Sequence, residues 1–199
     1  MNLPTKITLI RIFMIPLVLV SYCLQGLWDY MFLVTAGLFF VASMTDSIDG
    51  YIARKQNLVT DLGKFLDPIA DKLLVVVGLL IVIHGNYIVN PYVDIYLPNM
   101  TLICSIIILA REFIIGLFRQ IAATKGIVMA ADKLGKIKTI ATMSAIDAFL
   151  FSLFKNAVAA RVFYFLGFVI IIIATCLTVV SGVNYIVKNK QVLFGEKKD

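Results

Sequence analysis

Six apolar runs, at 7–27, 31–53, 65–84, 99–120, 138–155 and 161–187, divide this chain almost from end to end. Each is close to the ~20 residues needed to cross a hydrocarbon core as a helix. Lipid offers no partners for backbone N–H and C=O groups, so runs of this length fold as helices that satisfy those groups internally. The composition agrees: 61% of the 199 residues are hydrophobic and 15% charged, with a mean hydropathy of +0.96. Such a chain is a polytopic membrane protein, not a soluble domain. Its length leaves room for one bundle over 1–199. The expected fold is therefore all-α and integral to the membrane, with six transmembrane helices. The first run lacks a small-residue cleavage site and reads as a retained span. Polar or turn-rich pieces at 28–30, 54–64, 86–99, 125–138 and 155–161 separate the runs, and no internal repeat is evident.

Basic residues set the orientation. With the N-terminus inside, Lys6, Arg11, Arg54, Lys55, Lys64, Arg119, Lys125, Lys133, Lys136, Lys138, Lys188, Lys190, Lys197 and Lys198 fall at cytoplasmic ends, while Lys155 and Arg161 fall opposite. Both termini are then cytoplasmic. The net charge of +6 is mostly this bias, with some attraction to anionic lipid, and does not indicate nucleic acid. Cys23, Cys104 and Cys176 stand in separate apolar runs and read as buried small hydrophobes. His84 lies where a span meets a loop and reads as interfacial.

Against this apolar background, the twenty-six residues from Asp46 to Asp71 stand out, because they hold Asp46, Asp49, Asp67 and Asp71. A carboxylate in hydrocarbon costs several kcal/mol unless it is paired or bound to metal. Asp46, Asp49, Gly50, Ala53 and Arg54 fall within an arc of roughly 140° on one helix. Gly63, Asp67 and Asp71 step by four along the next. Asp46 lies eight residues inward from Arg54, and Asp71 eight inward from Gly63, about 12 Å in each case. The two pairs therefore sit at matched depth in a hairpin. Hard divalent cations take carboxylate oxygens, and four carboxylates can hold two such ions. Gly50, Ala53 and Gly63 lack bulk, so phosphates could approach the backbone. Arg54 and Lys64 at the rim could bind phosphate oxygens. The plainer alternative, aspartates neutralised by nearby bases, fails because those bases lie at the rim and only Lys72 lies at depth. A cation or proton transporter also uses intramembrane acids, but it does not explain the glycine, alanine and arginine on the acidic face.

The pattern D-x2-D-G-x2-A-R-x8-G-x3-D-x3-D is matched at all eight fixed positions. It is similar to the signature of the CDP-alcohol phosphotransferase family, and the resemblance extends over the whole chain. It implies transfer of a phosphatidyl or similar group from a CDP-linked donor to an alcohol, with release of CMP. By resemblance, Asp46, Asp49, Asp67 and Asp71 match a site for two Mg²⁺ or Mn²⁺ ions, and Asp71 matches the general base. Gly50, Ala53, Arg54 and Gly63 match positions that contact the CDP moiety. Homodimerisation and a bacterial cytoplasmic membrane, with the active site facing the cytoplasm, are implied as well.

The segments N-L-P-T-K-I-T-L-I-R-I-F-M-I-P, L-D-P-I-A-D-K-L-L-V, A-R-E-F and G-K-I-K-T look like the bacterial branch that joins CDP-diacylglycerol to glycerol 3-phosphate. Thr5 stands after Pro4 where Asn is common in that branch, and is kept as a nucleotide-contact candidate. Members using serine, inositol or phosphatidylglycerol would keep the same aspartates. Glycerol 3-phosphate is a dianion, so its site should add cations, and Arg111, Arg119, Lys133, Lys136 and Lys138 supply them. Arg111 lies about 12 Å deeper than Arg119, and Asp147 about 13.5 Å beyond Lys138. That matched depth predicts an Arg111–Asp147 contact, with Glu112 as the alternative partner.

Overall fold

The computed structural model describes residues 3–28, 30–56, 61–88, 96–124, 133–153 and 157–189, with side chains over 8–28, 30–45, 66, 68–85, 99–122, 134–153 and 158–189. Among these residues all regular structure is helical: α1 (Leu3–Cys23), α2 (Met31–Gln56), α3 (Asp61–Ile88), α4 (Tyr96–Thr124), α5 (Lys133–Phe151) and α6 (Ala157–Lys188), with a 3₁₀ turn at Leu24–Gly26 after α1. The helices outrun several of the apolar stretches that seed them. Hydrocarbon thickness limits how long a helix must be apolar, not how far it continues into the polar zone. Thus α2 stays helical past the end of its apolar run to Gln56, and α3 begins at Asp61.

Four stretches among the described residues are long and apolar enough to cross a membrane: Thr8–Gly26, Pro68–Gly85, Asn99–Ala122 and Val158–Lys188. Of the other two helices, α2 has side chains described only as far as Thr45 and contributes the apolar stretch Met31–Thr45, while α5 carries Lys133, Lys136, Lys138 and Asp147.

The bundle is inverted relative to a soluble protein. Outward positions are large and apolar, as at Phe13, Leu17, Ile106, Ile114, Phe165 and Val180. Inward positions include Thr8, Ser21, Thr35, Ser105, Thr142, Thr178 and Ser181. Hydroxyls that face other helices are satisfied by their own backbone: Thr175 donates to the Ile171 carbonyl at 2.7 Å and Thr178 to that of Ala174 at 2.6 Å. Ser21 and Thr35 share a 2.9 Å hydrogen bond that joins α1 to α2. Cysteine placement departs from expectation, since Cys23 and Cys176 are exposed and Cys104 is half-buried; all three are free thiols. Where the surroundings are lipid, the outside suits a small apolar side chain as well as the core does. His84 is exposed and shares a 2.6 Å hydrogen bond with the Tyr22 hydroxyl, linking α1 to α3.

Helix pairing decides what surrounds the functional positions. The heaviest packing is α5 on α6 and α1 on α2, followed by α4 on α6 and α1 on α3. Among the described residues, direct contact between α2 and α3 is slight, and α4 scarcely touches α5. The core gathers Val18, Phe39, Leu74, Leu79, Ile146, Phe149 and Ile171 from five helices. Close approach needs small residues there, as in membrane bundles generally. A Cβ on Gly78 of α3 would lie 2.6 Å from Phe39 Cε2 and 2.9 Å from Ile146 Cγ2, both fully buried. A Cβ on Gly37 of α2 would meet nothing within 4 Å. Gly78→Ala is therefore expected to destabilise by about 1–3 kcal/mol through overpacking. Gly37→Ala should leave stability unchanged or raise it by up to about 1 kcal/mol. Thermal unfolding of the two variants in detergent checks the contrast, and equal effects would contradict this packing.

Candidate active site

The motif's backbone is helical where its spacing requires it. Asp46, Asp49, Gly50, Ala53 and Arg54 lie within α2, and Gly63, Lys64, Asp67 and Asp71 within α3. The three- and four-residue steps are thus real helical steps, which bring each set onto one face. Of these residues only Asp71 has a described side chain. Those of Asp46, Asp49, Gly50, Ala53, Arg54, Gly63, Lys64 and Asp67, and of Thr5 and Lys133, lie outside the described side chains. Pro68 lies seven residues past the start of α3. It sits inside the helix and has no N–H to give the carbonyl of Lys64, its i−4 residue.

Asp71 is held from a helix remote in sequence. Arg11 Nη1 on α1 donates to Asp71 Oδ1 at 2.8 Å. The two ends of this pair differ: Arg11 is 1% exposed and Asp71 47%. A guanidinium so deeply buried needs a carboxylate to be tolerated. The same bond aims Asp71 at open space while fixing its position. The sequence places Arg11 only among the topology-setting bases. Its depth within the first span was the available signal, but sixty residues separate it from Asp71.

Asp71 opens on a cavity of about 310 Å³ between α3, α4 and α5. Pro68, Lys72, Val75 and Val76 line it from α3, Leu109, Glu112, Phe113 and Arg119 from α4, and Thr139, Thr142 and Met143 from α5. Two cations therefore share the space with Asp71. Lys72 fits because Gly116 on α4 has no side chain, and a Cβ there would strike the Lys72 ammonium. Arg119 is steadied by Tyr185 of α6, donating from Nε to the hydroxyl at 3.0 Å with its guanidinium carbon 5.1 Å from the ring centroid. An apolar wall with a few convergent charges is the usual make-up of a small-molecule site.

The remaining expected acceptor cations are placed differently. Lys136 is exposed and is not among the lining residues. Arg111 also lies off the lining: its Nη2 donates to Ser181 Oγ of α6 at 3.0 Å, and its stem packs on Gly182. The expected Arg111–Asp147 contact is not made. Asp147 Oδ1 is buried with no hydrogen-bond partner, while Arg111 Nη1 stands 3.7 Å from Glu112 Oε1, the alternative named from sequence. Matching depth does not fix direction, and among the described residues α4 packs mainly on α6. The ion pair that does join α4 to α5 is Lys138 to Glu112, with Lys138 buried at 3% exposure.

Among the described residues no group of three or more His, Cys, Asp or Glu side chains could hold a metal. Three of the four motif aspartates are outside the described side chains, so the donor set is judged on its chemistry and helical register. Four hard oxygen donors on two consecutive helices suit a divalent cation. The Arg11 bond engages Oδ1, one of two oxygens that both serve as hard donors in a carboxylate.

Comparison with known proteins extends this picture. The family model for CDP-alcohol phosphatidyltransferase matches residues 1–190. A Bacillus subtilis protein named CDP-diacylglycerol–glycerol-3-phosphate 3-phosphatidyltransferase is 39% identical, across 96% of this chain and 97% of its own length. A Rickettsia felis protein of the same name is 33% identical, across 92% and 93%. A rice protein (Oryza sativa subsp. japonica) named cardiolipin synthase (CMP-forming) is 32% identical, across 97% of this chain and 59% of its own length.

The Arg11–Asp71 pair makes a prediction independent of the reaction. Arg11→Ala should lower stability by about 1.5–3 kcal/mol, the range for a hydrogen bond to a charged group. A double-mutant cycle with Asp71→Asn should give a coupling of about 0.5–3 kcal/mol. Thermal unfolding in detergent measures both, and additive effects would show that the pair does not carry Asp71.

Proposed function

Because the chain belongs to the CDP-alcohol phosphatidyltransferase family, we propose that it transfers the phosphatidyl group of CDP-diacylglycerol to sn-glycerol 3-phosphate. The products are phosphatidylglycerophosphate and CMP, which makes the chain a transferase of phospholipid biosynthesis. The observation that carries this reading is similarity along nearly the full length of both chains to bacterial enzymes bearing that name. The complete signature and the cationic cavity beside Asp71 support it.

The acyl chains of the donor lie in the bilayer and its CDP head enters from the cytoplasmic side. Gly50, Ala53 and Gly63 let the head approach the helices, Arg54 and Lys64 bind its phosphate oxygens, and Thr5 lies with the nucleotide contacts. Two divalent cations, Mg²⁺ or Mn²⁺, held by Asp46, Asp49, Asp67 and Asp71, would neutralise the diphosphate and ease the departure of CMP. Glycerol 3-phosphate occupies the cavity, whose ~310 Å³ suits a small polyol phosphate. Arg119 and Lys72 face its phosphate from the wall, and Arg111, Lys133 and Lys136 add positive potential around it. Asp71, steadied by Arg11, takes the proton of the 1-hydroxyl. That oxygen bonds to the lipid-side phosphorus as the phosphorus–oxygen bond to CMP breaks. A carboxylate is a weak base for an alcohol, so holding the reactants together supplies much of the acceleration.

The membrane arrangement belongs to the same reading. The cytoplasmic bias of Lys and Arg supports six spans, with α2 and α5 crossing beside the four strongly apolar helices and both termini cytoplasmic. The bacterial relatives support a bacterial cell membrane, and a homodimer is the assembly that goes with this reading. The rice relative's name makes phosphatidylglycerol the acceptor to test against.

Purified protein with CDP-diacylglycerol and Mg²⁺ should release CMP with glycerol 3-phosphate and not with serine, inositol or phosphatidylglycerol. Release driven by another acceptor would overturn the acceptor assignment, and ion flux in proteoliposomes without CMP release would instead favour a transporter. Asp71→Asn should lower CMP release by about 10²- to 10⁴-fold while retaining part of donor binding. Asp46→Ala and Asp67→Ala should weaken metal binding as well. A chelator should abolish release, and added Mg²⁺ or Mn²⁺ should restore it. Near-normal turnover of Asp71→Asn would remove it from the role of base.

A further inference from the structure

The cavity contains an acid that the proposed reaction does not use. Glu112 projects from α4 into the space that holds Asp71, Lys72 and Arg119, and remains 27% exposed there. A second carboxylate in a site for a dianion works against binding, since like charges in a low-dielectric setting repel strongly. The fold offsets that repulsion. Lys138, buried at 3% exposure on α5, pairs with Glu112 Oε1, and Arg111 Nη1 stands 3.7 Å from the same oxygen. Neither Lys138 nor Arg111 lines the cavity, so both act on Glu112 from behind. The charge is neutralised while the carboxylate still faces the ligand space.

Glycerol 3-phosphate presents three polar groups to such a cavity. Its phosphate calls for cations, which Lys72 and Arg119 supply, and its 1-hydroxyl gives up a proton to Asp71. The 2-hydroxyl remains, and it needs a hydrogen-bond acceptor. Thr139 and Thr142 also line the cavity; each hydroxyl donates to a helix carbonyl, of Gly135 and Lys138 respectively, at 3.0 Å, and accepts only through the lone pairs of a neutral oxygen. Glu112 is the stronger acceptor, because its carboxylate, paired with Lys138, has lone pairs at the surface of the cavity.

We infer that Glu112 is a specificity residue that accepts a hydrogen bond from the second hydroxyl of the acceptor and so selects a 1,2-diol phosphate over a simple hydroxyalkyl phosphate. Lys138 is its positioning residue. The assignment rests on the acceptor reading given above. A competing explanation is that the Glu112–Lys138 pair only staples α4 to α5, two helices that otherwise scarcely touch.

The test compares CMP release from glycerol 3-phosphate and from 3-hydroxypropyl phosphate, which lacks only the 2-hydroxyl. The wild-type protein should favour glycerol 3-phosphate by about 10- to 100-fold in kcat/KM, the range for one hydrogen bond to a charged group. Glu112→Ala should bring that ratio close to one, by losing activity toward glycerol 3-phosphate alone. Glu112→Gln keeps a carbonyl acceptor and should fall between. The double variant Glu112→Met/Lys138→Met strands no buried ammonium and should also lose the preference, so the test survives if Glu112→Ala does not fold. A staple would lower both substrates equally and preserve the ratio, and that result, or a wild-type ratio near one, overturns the assignment alone. Absence of CMP release from glycerol 3-phosphate by the wild type overturns the acceptor reading and this assignment with it.

Discussion

A charged side chain in hydrocarbon must be paired, neutralised or bound, and this constraint governs how the bundle is assembled. Arg11 is buried to 1% and is matched to Asp71 across α1 and α3. Lys138 is buried nearly as deeply and is matched to Glu112 across α4 and α5. Arg111 is shared between Ser181 and Glu112, which ties α4 to α6. Each pair has its cation buried more deeply than its acid, so the carboxylates are the ends presented to the cavity. A ligand-binding surface is thereby built from groups whose burial alone would be prohibitive.

Packing around these pairs relies on close approach more than on hydrophobic burial, since lipid tails are as apolar as the core. Gly78 admits Phe39 and Ile146, Gly167 admits the Phe149 ring, which would stand 3.1–3.3 Å from an added Cβ, and Gly182 admits the stem of Arg111. Gly116 extends the same device into the site, where it leaves room for the Lys72 ammonium. Backbone placement and site chemistry are therefore linked through the same small residues.

Much of the fold was legible in the sequence, since runs of span length admit little but helices. Their extents were not, because a helix continues past the hydrocarbon boundary, as α2 does to Gln56 and α3 does from Asp61. The aspartate motif was legible because helical steps of three and four fix which residues share a face. Partners were harder to read. Arg11 joins Asp71 from sixty residues away, and local spacing carries no sign of that. Depth matching brought Arg111 level with Asp147, but rotation about the helix axis and the choice of neighbouring helix decide contact. Both send Arg111 toward α6. Lys138 was counted among the cations of the acceptor site, whereas the structure buries it as the partner of Glu112.

The central claim is that the cavity beside Asp71 delivers the acceptor's hydroxyl oxygen to the lipid-side phosphorus. Isotope tracing tests this most directly, with glycerol 3-phosphate carrying ¹⁸O in its 1-hydroxyl and mass spectrometry of both products. The account predicts that the label is retained in phosphatidylglycerophosphate, is absent from CMP, and that the two products form in equal amounts. Label in a cytidylyl product, with phosphatidic acid as the companion lipid, would place the attack on the other phosphorus and contradict it.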